Sequence, residues 1–262
     1  MEYFPQLSTG ALAQYPLRKR ITRRTIANSL PDGSVLKLAD TNLVRVEWDL
    51  DFIGLSAEEA STIEHFFEDC EGDLKTFAFV DPTGNLLTWS EDLEEEVWEK
   101  DPLLLVEGGS ADPLGGERGY AMRNNGGAPQ GMRQTLTAPG GYWYCLSAWI
   151  RSDQSAWVTL RIGDERRHRE AGPTWTRISM SAQPHGDEGI VAFGLELDAG
   201  QAMEVFGLQA EAQPGASGYK RTGSKGAVYP SSRFGQAQLM VTAHGLNSYS
   251  CRFKVISNAN GI

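Results

Sequence analysis

Cysteine is scarce. Cys70, Cys145 and Cys251 are an odd, widely spaced set without a C-x-x-C pair. A disulfide framework and a zinc ribbon are therefore not expected, and a reducing compartment at synthesis is the simplest setting. The few histidines, His65, His168, His185 and His244, show no metal-ligand spacing, so no metal and no cofactor is expected. No spacing supports a structural Ca²⁺ either. No apolar run is long enough to span a membrane. Met1-Glu2-Tyr3-Phe4-Pro5 lacks the basic start and apolar stretch of a secretory leader, so none is expected. G-x-S-x-G, Walker, H-E-x-x-H and EF-hand patterns are absent as well. The chain is thus expected not to be an enzyme. Its net charge of -10 argues against nucleic-acid binding.

Long helical patterns are also few. With 262 residues, 29 of them glycine, and 40% hydrophobic content, the chain can bury one large or two modest cores, mostly of β structure. The one clear helix begins at Ser56. Ser56 and Glu59 form a capping box, and Leu55 with Ala60 can form a weak staple. Ile63, Phe66, Phe67 and Cys70 follow at helical spacing, and Gly72 is a credible stop. Leu74 to Val80 then reads as a strand that Asp81-Pro82-Thr83-Gly84 ends. The helix must lay its Phe-rich face on a sheet.

Residues 1 to 14 have no periodicity and read as an arm. A basic run follows, Arg18, Lys19, Arg20, Arg23 and Arg24. It suits either a solvated strand edge or a charged subunit contact, with Glu47, Asp49 and Asp51 as partners. Ile21 to Ser29 and Ser34 to Ala39 flank Pro31-Asp32-Gly33, a hairpin signal. Val44, Val46, Trp48, Leu50 and Phe52 alternate with charged residues, as a half-buried strand does. At residue 86 the composition changes to an acidic passage, and Glu91, Asp92, Glu94, Glu95 and Glu96 read as a solvated turn or helix. A glycosidase would need two carboxylates across a cleft, which spacing alone cannot establish.

From Tyr120 to about Tyr219 strand follows strand. Tyr144, Leu146, Ala148 and Ile150 face one way, and Cys145, Ser147, Trp149 and Arg151 the other. Val158, Leu160 and Ile162 alternate with Trp157, Thr159 and Arg161, and Val191, Phe193, Leu195 and Leu197 continue the pattern. This predicts a jelly-roll β-sandwich over 86–228. Gln236 to Ala243 and Ser248 to Ile256 form a last hairpin, too small to fold alone. It completes the sheet begun before residue 86. The expected fold is mainly β: a small sandwich or barrel-like domain with one helix, from 1–85 and 229–262, interrupted by the sandwich. In that sandwich Trp149, Arg151, Trp157 and Arg161 are the candidate glycan contacts, since a sugar offers an apolar C–H face and a polar rim. The competing reading has both tryptophans packing under loops or against a neighbour.

The order of basic strand, Pro-Asp-Gly-Ser hairpin, alternating strand, Glu-rich helix with Phe66-Phe67, Gly72, Phe77-Ala78-Phe79 and Asp81-Pro82 resembles distal tail proteins of long-tailed bacteriophages. These include the lambda-type minor tail protein M and relatives in gene transfer agents. The resemblance covers 1–85 and 229–262. It implies a ring, usually hexameric, at the virion tail tip, after synthesis in the host cytoplasm. The ring joins the tail tube protein to hub and tail-tip proteins, with Arg18, Arg20, Arg23 and Arg24 as subunit contacts. The insert, with Asn85–Asp92, Trp98, Tyr144–Arg151, Thr174–Arg177, Gln209–Glu211 and Ala216–Tyr219, resembles jelly-roll modules of phage tail and surface proteins, similar to carbohydrate-binding modules. That implies an outward module and host cell-surface polysaccharide as a partner. The alternatives are a carbohydrate-binding surface protein and a polysaccharide depolymerase.

Overall fold

A computed structural model describes residues 2–185 and 189–258, apart from the side chains of 41–43. The chain divides into two compact units, one of residues 1–79 and 229–262, the other of residues 80–228. The first contains β1 (Arg18–Ser29), β2 (Val35–Leu55), α1 (Ala57–Asp69) and β3 (Phe77–Val80). The second contains β4 (Glu99–Lys100), β5 (Leu104–Ser110), β6 (Gly119–Asn124), β7 (Gln130–Thr137), β8 (Tyr144–Arg151), β9 (Ala156–Ile162), β10 (Glu165–Ala171), β11 (Thr176–Ala182), β12 (Ile190–Leu197) and β13 (Ala202–Glu211). The chain returns to the first unit through β14 (Val228–Phe234), β15 (Val241–Gly245) and β16 (Ser248–Asn258). Among the described residues the protein is mainly β, with antiparallel sheets and one α-helix.

The first unit is built on a sheet in the order β1-β2-β16-β14-β3, with β15 also paired to β16. Among the described residues this sheet stays open, so of the sandwich and barrel-like forms expected for this part no closed barrel is made. Val46, Trp48, Leu50 and Phe52 are buried, as strand alternation requires. Helix α1 starts as its sequence dictates. The Ser56 hydroxyl accepts from the Glu59 amide at 3.1 Å, and the Glu59 carboxylate accepts from the Ser56 amide at 2.9 Å. The helix ends one residue earlier than Gly72 suggests. Glu71 takes the left-handed conformation at φ 51°, and the Gly72 amide reaches the Phe67 carbonyl at 3.0 Å while the Glu71 amide reaches Glu68 at 2.8 Å. This is a Schellman closure with a non-glycine residue at its turn. The next strand is also shorter than expected, starting at Phe77 rather than Leu74.

A cluster of phenylalanines joins helix to sheet. Phe66 lies 5.1 Å from Phe77 and 6.0 Å from Phe234, and Phe234 lies 5.3 Å from Phe253. Phe4 enters the same cluster, 5.8 Å from Phe66 and 5.6 Å from Phe253. The supposed arm is therefore packed. Leu7, Leu12 and Ala13 are buried with Phe4, and the Ser8 hydroxyl donates to Glu59 at 2.7 Å. One carboxylate thus caps the helix and anchors the N-terminal segment.

β1 and β2 continue past this core as a two-stranded ribbon. The register runs from Arg18 opposite Asp49 to Ser29 opposite Val35, with a bulge between Arg23 and Arg24. At the tip Gly33 has φ 83°, and the Asp32 carboxylate accepts from the Ser34 amide at 2.9 Å. That turn chemistry is the one its Pro-Asp-Gly signal predicts. β16 pairs with β2 only as far as Arg45, opposite Asn258. Beyond that point β1 and β2 have only each other among the described residues.

The second unit is a β-sandwich of jelly-roll type. One sheet runs β10-β9-β12-β7-β4 and the other β11-β8-β13-β6-β5. Leu146, Ala148, Ile150, Val158, Leu160, Phe193, Leu195 and Val205 fill the space between them. The ends of this unit meet. The Asp81 amide donates to the Ala227 carbonyl, and the Ala227 amide donates to Asn85, both at 2.9 Å. The acidic passage is only partly solvated, because Glu91 is buried against Arg118 at 2.9 Å and Arg221 at 3.2 Å.

Truncating the residue at the centre of the phenylalanine cluster tests this packing. Phe66→Ala should cost about 3–5 kcal/mol, read as a lower urea midpoint at unchanged slope. A loss within about 0.5 kcal/mol, the range of a surface change, would show that the helix does not hold the sheet.

Candidate functional site

The four residues proposed for glycan contact do not form one site. Trp157 and Arg161 lie on the outer face of the β10-β9-β12-β7-β4 sheet, and Trp149 and Arg151 on the outer face of the other sheet. Trp149 is half-buried and enclosed. The Arg177 guanidinium covers it at 4.6 Å and Tyr219 meets it edge-on at 5.3 Å. Gly207, at φ 63°, lets both rings close in, since a Cβ there would lie 3.1 Å from Tyr219 and 3.2 Å from Trp149. The segment above is tied down by a 3.0 Å ion pair between Lys220 and buried Glu211, and by Ser90 at 3.0 Å from the Tyr219 hydroxyl. Burial raises the Tyr219 phenol well above its ordinary range. Trp149 is thus a packing residue. Arg151 is held by Glu204, which keeps its guanidinium charged, and stacks on Trp175 at 4.9 Å.

Trp157 is different. It is 45% exposed at the start of β9, where alternation aims Trp157, Thr159 and Arg161 outward. The cross-strand neighbours of Trp157, Thr159 and Arg161 on β10 are Glu170, His168 and Arg166 in that order. On the other side β12 places Glu196 opposite Thr159 and Gly194 opposite Arg161. Arg161 reaches Glu196 at 3.1 Å, Arg166 reaches it at 3.7 Å, and Thr159 meets the His168 ring at 2.9 Å. Next to them Arg133 pairs with Glu99 at 3.1 Å. Two glycines keep the floor bare. A Cβ on Gly194 would strike the Met132 carbonyl at 2.2 Å, and one on Gly131 the Leu195 carbonyl at 2.8 Å.

This face therefore offers one aromatic plane, a flat backbone floor and a row of fixed donors and acceptors. Trp157 and Arg161 are four residues apart on one strand, roughly 13 Å. A pyranose can stack on the indole while its hydroxyls meet the row. Glu196, Arg166 and His168 were not singled out from sequence. The alternation around Phe193 and Leu195 places Glu196 outward, but its proximity to Arg161 depends on strand order. Other chemistry is thin. Burial pushes the thiols of Cys70 and Cys251 up to about 11 and about 12, so neither offers a thiolate near neutral pH. Asp164, Glu165 and His185 gather at an exposed turn, with the imidazole 3.9 Å from Asp164 and 3.7 Å from Glu165.

The basic run lies on the edge strand β1. Arg20 pairs with Glu47 at 3.4 Å and Arg24 with Asp40 at 3.9 Å. Lys19 sits 5.7 Å from the Trp48 ring. Asp49 and Asp51, expected as further partners, are instead taken by β16, through Lys254 at 3.8 Å and Arg252. Arg18 and Arg23 make no ion pair among the described residues.

No family model and no curated protein matches the chain. Three of the similar solved structures are jelly-roll binding modules or a phage protein. The CBM22-1 xylan-binding domain of Paenibacillus barcinonensis Xyn10C is 14% identical at a TM-score of 0.40, over 53% of this chain and 97% of that one. TmCBM61, solved with beta-1,4-galactotriose, is 17% identical at 0.36, over 48% and 97%. The enzymatically active domain of bacteriophage CBA120 tailspike protein 4 is 12% identical at 0.39, over 51% of this chain but only 22% of that one.

The two tryptophans should separate in stability measurements. Trp149→Ala should lower stability by roughly 2–3 kcal/mol, and Trp157→Ala by no more than about 0.5 kcal/mol. Equal losses in thermal or urea unfolding would contradict the packing described here.

Proposed function

We propose that this chain is a structural, non-catalytic subunit of a long-tailed phage or phage-like particle. Its first unit assembles with further copies into a ring, hexameric as in the family it resembles, between the tail tube and the hub and tip proteins. Its second unit projects as a module that meets host polysaccharide or a neighbouring tip protein. The observation that carries this reading is the β1–β2 ribbon. All twelve residues of β1 are exposed, and the ribbon leaves the core with Ile26, Leu36 and Leu38 40–49% exposed. A lone two-stranded ribbon is marginal in water, and contiguous apolar surface on it calls for cover. The cations at its base suit a protein neighbour better than an open DNA channel, whose walls would otherwise retain phosphate.

Light scattering on the full chain, alone and with purified tail tubes, tests this reading. A ring-sized species is expected. Replacing Ile26 and Leu38 together by Asp should abolish it while the monomer keeps its melting temperature. A wild-type chain that stays monomeric in both settings would overturn the proposal.

A second reading is favoured by Trp157, half-exposed on the same sheet face as Arg161 and Glu196. In it the sandwich is the working part of a carbohydrate-binding surface protein. Affinity electrophoresis in polysaccharide gels should show retardation of the wild type and none for Trp157→Ala. Release of reducing ends from the same polysaccharide would instead indicate a depolymerase.

A further inference from the structure

Among the described residues the first unit holds a second surface that no strand or helix covers. A groove of about 490 Å³ runs between α1 and the segment leading into β15. Phe67, Leu239 and Val241 supply its apolar lining, and Glu64 and Glu68 stand on its helix side. Met240 beside it is 76% exposed. Ser61 and His65 complete the lining, and Glu71, further along the chain, is paired with Lys75 at 2.7 Å. β15 pairs with β16 alone, so among the described residues its other edge carries no strand.

The ribbon is the complement of this groove. Strand alternation and the register of Ile26 opposite Leu38 and Asn28 opposite Leu36 place Ile26, Leu36 and Leu38 on one face. Arg24 stands on the same face, two residues before Ile26, and Arg23 is next to it at the bulge. One surface is thus apolar with cations, of which Arg24 shares its face with Asp40 at 3.9 Å, and the other is apolar with carboxylates. They are different surfaces of one unit, so their pairing between copies is heterologous, the kind of contact that forms a ring when its rotation closes. Resting on the ring reading above, we infer that the apolar face of the ribbon seats in the α1–β15 groove of the next copy, with Arg23 and Arg24 against Glu64 and Glu68.

This contact buries apolar surface from both partners, which supplies affinity, while the charges fix its direction. Two ribbons meeting each other would bring five cations of each chain, Arg18, Lys19, Arg20, Arg23 and Arg24, toward their own kind. Two grooves meeting would do the same for carboxylates. Electrostatics therefore favours head-to-tail order over an isologous dimer.

Disulfide trapping in the full chain tests the pairing. The native thiols Cys70, Cys145 and Cys251 are buried. Ile26→Cys and Glu68→Cys are made in separate chains, mixed under assembly conditions and oxidised. A cross-linked dimer on a denaturing gel is expected in the mixture and in neither variant alone. Arg24→Glu should weaken assembly at least tenfold in the concentration required. Glu68→Lys should do the same, and the two together should recover most of it. A ring-sized species without the mixed cross-link, or with no recovery in the double variant, overturns this pairing and leaves the ring reading standing. A cross-link in Ile26→Cys alone shows ribbon against ribbon and also overturns it. Absence of any oligomer overturns both.

Discussion

β2 outruns the sheet that supports it. It is a single strand of 21 residues, and within the described residues, which end at Asn258, β16 accompanies it to Arg45. Over Val46 to Phe52 its alternate side chains are buried in the unit's core. From Val35 to Ala39 the same strand has β1 alone for a neighbour among the described residues, and its side chains are exposed. Ladder hydrogen bonds and a good turn hold such a ribbon in register. They do not bury its leucines and isoleucine, and burial is the main favourable term in folding and association. The parts of the first unit on which the proposed assembly rests are the parts this mismatch leaves uncovered.

The core beneath the ribbon is built to hold it. Phe4, Phe66, Phe77, Phe234 and Phe253 come from the N-terminal segment, the helix and three strands, so no single element can leave without opening the cluster. Glu59 joins two of these elements by capping α1 and holding Ser8. The β2–β16 ladder is crossed by Arg252–Asp51 and Lys254–Glu47, the latter at 3.4 Å. These exposed or half-exposed pairs contribute little energy each. They do occupy the carboxylates nearest the base of β1.

What could be read from sequence was local. The capping box, the Pro-Asp-Gly turn and the alternation of β2, β8, β9 and β12 each depend on neighbours within a few residues, and each appears where expected. The packing of Phe4 and Leu7 depends on Phe66 and Phe253, distant in the chain, so an aperiodic segment looked like a free arm. Trp149 and Trp157 follow the same alternation but meet opposite fates. The difference lies in the segment from Glu211 to Lys220, which folds over one sheet and not the other. Glu91 sits in an acidic run, yet its buried state depends on Arg118 and Arg221. Glu196 needed strand order before it could be placed beside Arg161. Glu71 took the helix-ending conformation that composition assigns to the glycine after it.

In the proposed assembly the ribbon gains its cover from another chain. Amide hydrogen exchange over residues 18–40, followed as protein concentration rises or tail tubes are added, tests it most directly. Rapid exchange at the outer β1 edge and ribbon tip in the dilute chain, slowing at least tenfold on assembly while the β2–β16 ladder is unchanged, is the result the account predicts. Exchange in the ribbon that stays the same when the oligomer forms would contradict it.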